Sequence, residues 1–464
     1  MSALWTRTAA TEATKAQVFG NDWFAYGISI DSRKIKIGDI FIALPGKRVD
    51  GHQFVISALN AGASAALVSH VPSGLDNAPL LVVKDVFEAL KNLAHMARAR
   101  SHARIIAVTG SIGKTTTKEM LASMLSAHGK TIASVGNLNN SIGAPISLAR
   151  LPADCDFAVF ELGMNHANEI RPLAQMIAPH AAIITNVEPV HTEFFDSIND
   201  IADSKAEIME GLLPGGVIVL NADNNSFVRL SKRAQALCIN RIVTFGHSAI
   251  CDIRSIKIET FSDGTKVIAS VEGKEINWTV RCIGRHWGLN SLGAIAVLHA
   301  LDLSFVPLLN QLSVFSPISG RGNQVMIHTI DNGTALLIDE TYNANPKSMR
   351  IALSVFAVTQ GKRKIVVLGD MLELGTISAI AHVNLKNAIE EIKPDLIYLC
   401  GDAMSYLRDA LGRERITLWT KTANALAKSV ANNIMNGDVI LIKGAFAMGM
   451  QEIVSTLKSK RKIL

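Results

Sequence analysis

The sequence predicts an α/β protein of three domains built on mostly parallel sheets, and three observations carry that prediction. Its 464 residues exceed what one hydrophobic core usually organises. Its composition, 48% apolar and 19% charged, is that of a globular chain. From Arg104 onward, short apolar runs alternate with longer amphipathic stretches, as strands alternate with helices in βαβ units.

In chain order, residues 1–100 carry DSRKIKIGDIFIAL, PGKRVDGHQF and a small-residue stretch from Ala58 to Ser69, which predict a small α/β domain. Residues 101–319 carry RIIAVT, TIASV, FAVFE, AAIITN and GVIVLN, each followed by a helical stretch, and predict a doubly wound, mostly parallel sheet. Between Ile253 and Arg281, SIKIET, TKVIASV and EINWTV alternate with period two around Asp263-Gly264 and Gly273. They predict antiparallel hairpins appended to that sheet. After the loop-like SPISGRGNQ, the runs ALLIDE, KIVVLG, LIYLC, ITLWT and VILIKG predict a third, Rossmann-like domain over residues 320–464.

Charge and cysteine usage exclude several classes. The net charge of +6 comes from 46 basic and 40 acidic residues interspersed along the chain, without the basic stripe of a nucleic-acid binder. Five scattered cysteines without C-x-x-C spacing argue against a disulfide framework or a zinc site. No signal-like segment and no run of roughly 18 apolar residues occurs, so a cytoplasmic protein without membrane insertion is expected.

The chemistry concentrates first at Thr109-Gly110-Ser111-Ile112-Gly113-Lys114-Thr115-Thr116-Thr117, between the strand RIIAVT and the helix KEMLASMLSAHG. Glycines there let backbone N–H groups converge on phosphate oxygens, Lys114 adds a point charge, and the Thr115 hydroxyl can ligate magnesium. The strict spacing is not met, because Val108 stands at the first glycine position. A plain glycine turn explains Gly110 and Gly113 but not Lys114-Thr115. Three further residues of this domain could complete a metal site: Glu161 at the end of FAVFE, His191 after AAIITN, and Lys205 in IADSKAEIM. Seen singly, they read as a capping glutamate, a surface histidine and a solvated lysine.

The loop has the form T-G-S-x-G-K-T-T of the Mur ligase family, which the chain resembles over nearly its whole length. The resemblance is carried also by Asp31-Ser32-Arg33, GDIFIALPG, DGHQF, GNLNNSIGAP, ELGMNHANEI, DETYNANPKSM and VLGDMLELG. The last two are most similar to the branch that adds D-Ala-D-Ala to UDP-MurNAc-tripeptide. The resemblance implies an ATP-dependent, peptide-bond-forming ligase, expected to be a monomer, whose third domain closes over ATP. Residues 109–116 would hold the nucleotide with Asn290, Arg321 and Asp339. Thr115 and Glu161 would hold one Mg2+, and His191 with a carbamylated Lys205 a second; Lys114, Lys205 and His191 would serve catalysis. Ser32, Arg33, Asn139 and Asn140 would meet the sugar nucleotide, and Tyr342, Asn343 and Asn345 the dipeptide side. Departures from the family strings are Glu340 for an Asp, Ala445-Phe446 for Ser-Arg, and Ser141 where an acidic residue is common.

Overall fold

The computed structural model describes residues 3–46, 49–190 and 192–459. Its described strands form one nine-stranded, one six-stranded and one five-stranded sheet, with a two-stranded ribbon near the N-terminus.

In the nine-stranded sheet, strand Arg104–Thr109 lies between Phe157–Glu161 and Ala181–Ile184, parallel to both. Both faces of this strand are buried: Ile105 and Ala107 join one core, Ile106 and Val108 the other. That is why it reads in sequence as an unbroken apolar run. From Arg104–Thr109 the chain first crosses to the edge strand Thr131–Ala133, comes back to fill the gap with Phe157–Glu161, then passes Arg104–Thr109 to add Ala181–Ile184, Val217–Asn221 and Arg241–Gly246 on the other side. The order therefore reverses beside Arg104–Thr109, and a crevice opens at such a reversal, beyond the strands' C-terminal ends. The residue after this strand is Gly110. The hairpins Ile253–Thr260, Thr265–Val271 and Lys274–Val280 extend the same sheet, joined by a short parallel pairing of Phe245 with Ile253 and Gly246 with Arg254.

The six-stranded sheet begins with a strand the sequence patterning does not pick out, Asn323–His328, whose first two residues fall in the loop-like SPISGRGNQ; it runs antiparallel to Thr334–Glu340. It is an edge strand on which only Ile327 is buried, and its apolar run is just the three residues Val325-Met326-Ile327 between polar neighbours. Strand Val439–Lys443 returns from the end of the chain to lie between Thr334–Glu340 and Lys364–Gly369. The segments after Glu340 and Lys443 thus leave adjacent parallel strands at the same end.

The cores do not divide evenly. One cluster runs from Trp5 through Leu93 and Ile146 to Ala234, so the first sheet's inner face and one face of the nine-stranded sheet share apolar packing. The Trp5 indole N–H donates to the Ala149 carbonyl at 3.0 Å within it. The six-stranded sheet has its own two clusters. Among the described residues no helix is long and apolar enough to cross a membrane.

Candidate active site

Residues 110–113 turn from strand to helix Lys114–Ser126. Gly113 has φ +85°, and a Cβ there would lie 2.5 Å from Asn290 Oδ1. At Gly110, a Cβ would stand 2.0 Å from Thr185 Oγ1. The turn needs glycine twice, once for a left-handed backbone with close approach and once for close approach above all. The segment after strand Ala181–Ile184 braces it. Ser111 Oγ donates to the Glu188 carbonyl at 3.0 Å and accepts from the Glu188 N–H at 2.9 Å, while the Ile112 N–H donates to Asn186 Oδ1 at 2.9 Å. Lys114 Nζ folds back to the Gly110 carbonyl at 2.7 Å.

Thr115 Oγ1 donates to Glu161 Oε2 at 2.5 Å, and Asn139 Nδ2 to Glu161 Oε1 at 2.8 Å. A hydroxyl and a carboxylate in contact at the head of a helix are the donors a magnesium ion takes alongside phosphate oxygens and water. Lys205, on helix Ile198–Ala206, is 3% exposed. Burial drives its pKa well below the usual lysine value, and the Lys114 ammonium adds to the effect. Burial also lowers Lys114, where Glu161 opposes the shift and Arg321 reinforces it. His191 lies outside the described residues.

A cavity of about 330 Å³ lies over this turn, within the size range of small-molecule sites. Residues 111–117 and Asn290 line one side; Arg321, Tyr342, Asn343 and Asn345 line the other. The two sides come from different sheets. Lys347 is ion-paired with Glu188 across the gap, and Thr192 Oγ1 donates to the Leu374 carbonyl at 3.3 Å. Asn345 caps helix Pro346–Val358 through a capping box with Ser348, which fixes the loop before it. The Arg321 guanidinium lies 3.9 Å from the Tyr342 ring centre, a cation–π contact.

Other residues singled out from sequence fall elsewhere. Asp339 is 1% exposed and accepts from Ser319 Oγ at 2.9 Å, the Gly320 N–H at 3.0 Å, and the Thr341 N–H and Oγ1 at 3.2 and 2.6 Å. It shapes the turn that presents Arg321 and does not line the cavity. Asn140 Oδ1 accepts from the Ile142 and Gly143 N–H groups at 3.2 and 2.9 Å. Ser32 opens the short turn Ser32–Lys34, where exposed Arg33 pairs with Asp31 at 2.8 Å; neither lines the cavity. The Arg33 guanidinium lowers the Asp31 pKa against a smaller opposing effect of burial. Thr109 Oγ1 donates to the Leu162 carbonyl at 2.8 Å, beneath the turn.

Two departures from the family strings acquire contacts. Glu340 Oε2 meets Lys443 Nζ at 3.2 Å, and Lys443 Nζ also donates to the Asn343 carbonyl at 2.9 Å, so the pair steadies the Tyr342–Asn345 loop. The Phe446 ring lies 5.8 Å from that of Tyr342. Sequence reading missed Asn186, Glu188, Asp223 and Lys347 as lining residues. The rule that strand ends face the crevice points to Asn186 after Ala181–Ile184 and Asp223 after Val217–Asn221. For Glu188 and Lys347 there was no local signal.

Comparison with known proteins places the chain in a family. Residues 25–100 match the Mur ligase family catalytic domain, residues 108–298 the Mur ligase middle domain, and residues 325–446 the Mur ligase glutamate ligase domain. UDP-N-acetylmuramoyl-tripeptide--D-alanyl-D-alanine ligase of Escherichia coli is 33% identical over 98% of this chain and 98% of its own length. The enzyme of the same name from Rickettsia prowazekii is 33% identical over 92% of this chain and 94% of its own. A crystal structure of MurF from Acinetobacter baumannii superposes with a TM-score of 0.82 at 29% identity, covering 98% of this chain and 99% of that one. The chain belongs to the Mur ligase family.

Proposed function

We propose that this protein joins D-alanyl-D-alanine to UDP-N-acetylmuramoyl-tripeptide in a reaction driven by ATP, giving the pentapeptide precursor, ADP and phosphate. The observation that carries the reading is the cavity shared by residues 111–117 of the phosphate-type loop and helix start and the Tyr342–Asn345 loop, one from each of two sheets. Relatives of that printed name match nearly the full chain. In this reading residues 1–100 take the UDP-sugar, 101–319 take ATP, and 320–464 take the dipeptide and close over the nucleotide. The enzyme works as a cytoplasmic monomer.

A carboxylate is a poor acyl donor because its leaving group would be oxide. The tripeptide carboxylate therefore takes the γ-phosphoryl group of ATP, forming an acyl phosphate and releasing ADP. The dipeptide amine attacks the acyl carbon, phosphate leaves, and the amine's proton passes to solvent. The backbone N–H groups of residues 110–115 and the Lys114 ammonium hold the transferring phosphoryl group in line, where positioning and charge neutralisation account for most of the acceleration. Thr115 and Glu161 would hold one magnesium ion; His191 and Lys205, as a carbamate, would hold a second. Such ions supply charge neutralisation for the phosphoryl oxygens and the developing oxyanion. Carbamylation needs a neutral amine, and the burial of Lys205 beside Lys114 favours that form. Asn290 faces the Gly113 side of the cavity, where the adenine would lie. Closure of the third domain excludes the water that would hydrolyse the acyl phosphate.

The test is phosphate release from ATP and magnesium with UDP-MurNAc-tripeptide, with and without D-Ala-D-Ala, while mass spectrometry follows the nucleotide product. Dipeptide-dependent turnover with the mass of one added D-Ala-D-Ala is expected. Turnover only with a single amino acid would refute the substrate assignment, and no turnover with either would refute the reaction.

A further inference from the structure

Lys118 is a buried charge that the proposed reaction does not use. It lies one helical turn after Lys114, and its side chain is wholly inaccessible. Taking an ammonium out of water is costly unless partners offset it. Its partners are the Glu119 carboxylate at 2.8 Å and the Ser134 carbonyl at 2.6 Å. Ser134 directly follows the edge strand Thr131–Ala133. Its own N–H donates to the Val159 carbonyl at 3.0 Å, and its Oγ accepts from the Glu161 N–H at 3.0 Å. Ser134 is thus gripped through its N–H, carbonyl and hydroxyl, and the hydroxyl in turn holds the backbone of the residue whose carboxylate meets Thr115.

Thr115 and Lys118 are three residues apart on one helix, so they share a face. One helix therefore supplies the hydroxyl beside Glu161 and, through Ser134, the anchor for the strand end that carries Glu161. We infer that Lys118 is a positioning residue for the metal carboxylate: acting through Ser134, it sets Glu161 against Thr115 before an ion arrives. Partners that orient a ligating carboxylate contribute roughly 10- to 100-fold to metal affinity. This inference rests on reading Glu161 as the magnesium carboxylate, and a helix-to-edge-strand tie of purely structural value is the competing account.

The experiment separates these. Mn2+ is titrated into the full-length protein with saturating ADP, and free Mn2+ is read by electron paramagnetic resonance; ADP affinity is measured separately in EDTA. Glu161→Gln, Ser134→Ala, Lys118→Met and Lys118→Arg are compared with the unchanged protein. Ser134→Ala and Lys118→Met are expected to weaken Mn2+ binding by on the order of 10-fold, with metal-free ADP affinity within about twofold, and Lys118→Arg, which keeps a donor, to weaken it less. If Lys118→Met fails to fold, Ser134→Ala and Lys118→Arg decide. Loss of Mn2+ affinity in Glu161→Gln alone overturns the inference and leaves the reading of Glu161 standing. Equal weakening of ADP with and without metal supports the structural tie and also overturns it. Unchanged Mn2+ binding in Glu161→Gln overturns the reading of Glu161 itself.

Discussion

Replacing Gly113 by alanine tests the phosphate-type loop at its tightest point. Two penalties arise. The left-handed backbone at φ +85° costs a residue bearing a Cβ about 1–2 kcal/mol. The new methyl would stand 2.5 Å from Asn290 Oδ1, so Asn290 or the turn must move, an overpacking cost of about 1–3 kcal/mol. Gly113→Ala should therefore destabilise the nucleotide-free protein by about 2–5 kcal/mol in urea unfolding and displace the side chain proposed to meet adenine. Asn290→Ala removes the obstacle but not the strain. In that background Gly113→Ala should cost only about 1–2 kcal/mol, leaving a coupling of at least about 1 kcal/mol in the double-mutant cycle. A fluorescent ADP analogue gives a second readout, in which Gly113→Ala should bind more weakly because Asn290, proposed to meet adenine, is displaced. Equal costs of Gly113→Ala in the two backgrounds would refute the claim that Gly113 and Asn290 compete for one space.

Lys205→Ala should abolish ligation, and high bicarbonate should not restore it, because no amine remains to carbamylate; full turnover in this variant would remove Lys205 from the mechanism. Glu340→Gln leaves the buried Lys443 ammonium without its carboxylate and should lower stability by about 1–3 kcal/mol, read from the urea midpoint. Glu340→Asp, one methylene shorter, should fall between the two; a Gln variant as stable as the unchanged protein would show the pair to be idle. Burial, reinforced by the Lys443 charge, lowers the His286 pKa to about 4 from the usual 6.5, so between these values the unfolded chain binds more protons than the folded one. Stability from this group is present above pH 6.5 and is lost as pH falls towards 4, by at most about 3 kcal/mol. His286→Gln should flatten that part of a melting-temperature profile, and an unchanged slope would count against it.

The parallel strands were legible because burial on both faces turns them into apolar runs, as in RIIAVT and VILIKG. Strand Asn323–His328 was not, because an edge strand needs little apolar surface and here carries a run of only three apolar residues, Val325-Met326-Ile327. At the site, Lys114, Thr115 and Glu161 could be read from sequence because a strand-to-helix turn and a neighbouring strand end are local signals. The bond from Asn139 to Glu161 was beyond reach, since it depends on how the loop before helix Gly143–Ala149 returns over strand Phe157–Glu161. Sequence strings also could not separate Asp339, which spends its acceptors on the turn beneath Arg321, from Arg321, which lines the cavity.

The distribution of apolar packing bears on how such a site could close. The first sheet and the nine-stranded sheet share a core, so turning one against the other would expose buried surface such as Trp5, Leu93 and Ile146. At about 25 cal/mol per Å² that motion is strongly opposed. The six-stranded sheet keeps separate cores, and its ties across the cavity include the Lys347–Glu188 ion pair and the Thr192–Leu374 hydrogen bond. A partly exposed ion pair contributes at most about 1 kcal/mol, and one hydrogen bond a similar amount. The third domain is therefore the body expected to move, and it would carry Arg321 and the Tyr342–Asn345 loop with it. Structures with and without nucleotide should differ in the angle between the last two domains and keep the first two fixed. A fixed angle there would mean that water is excluded by loops alone.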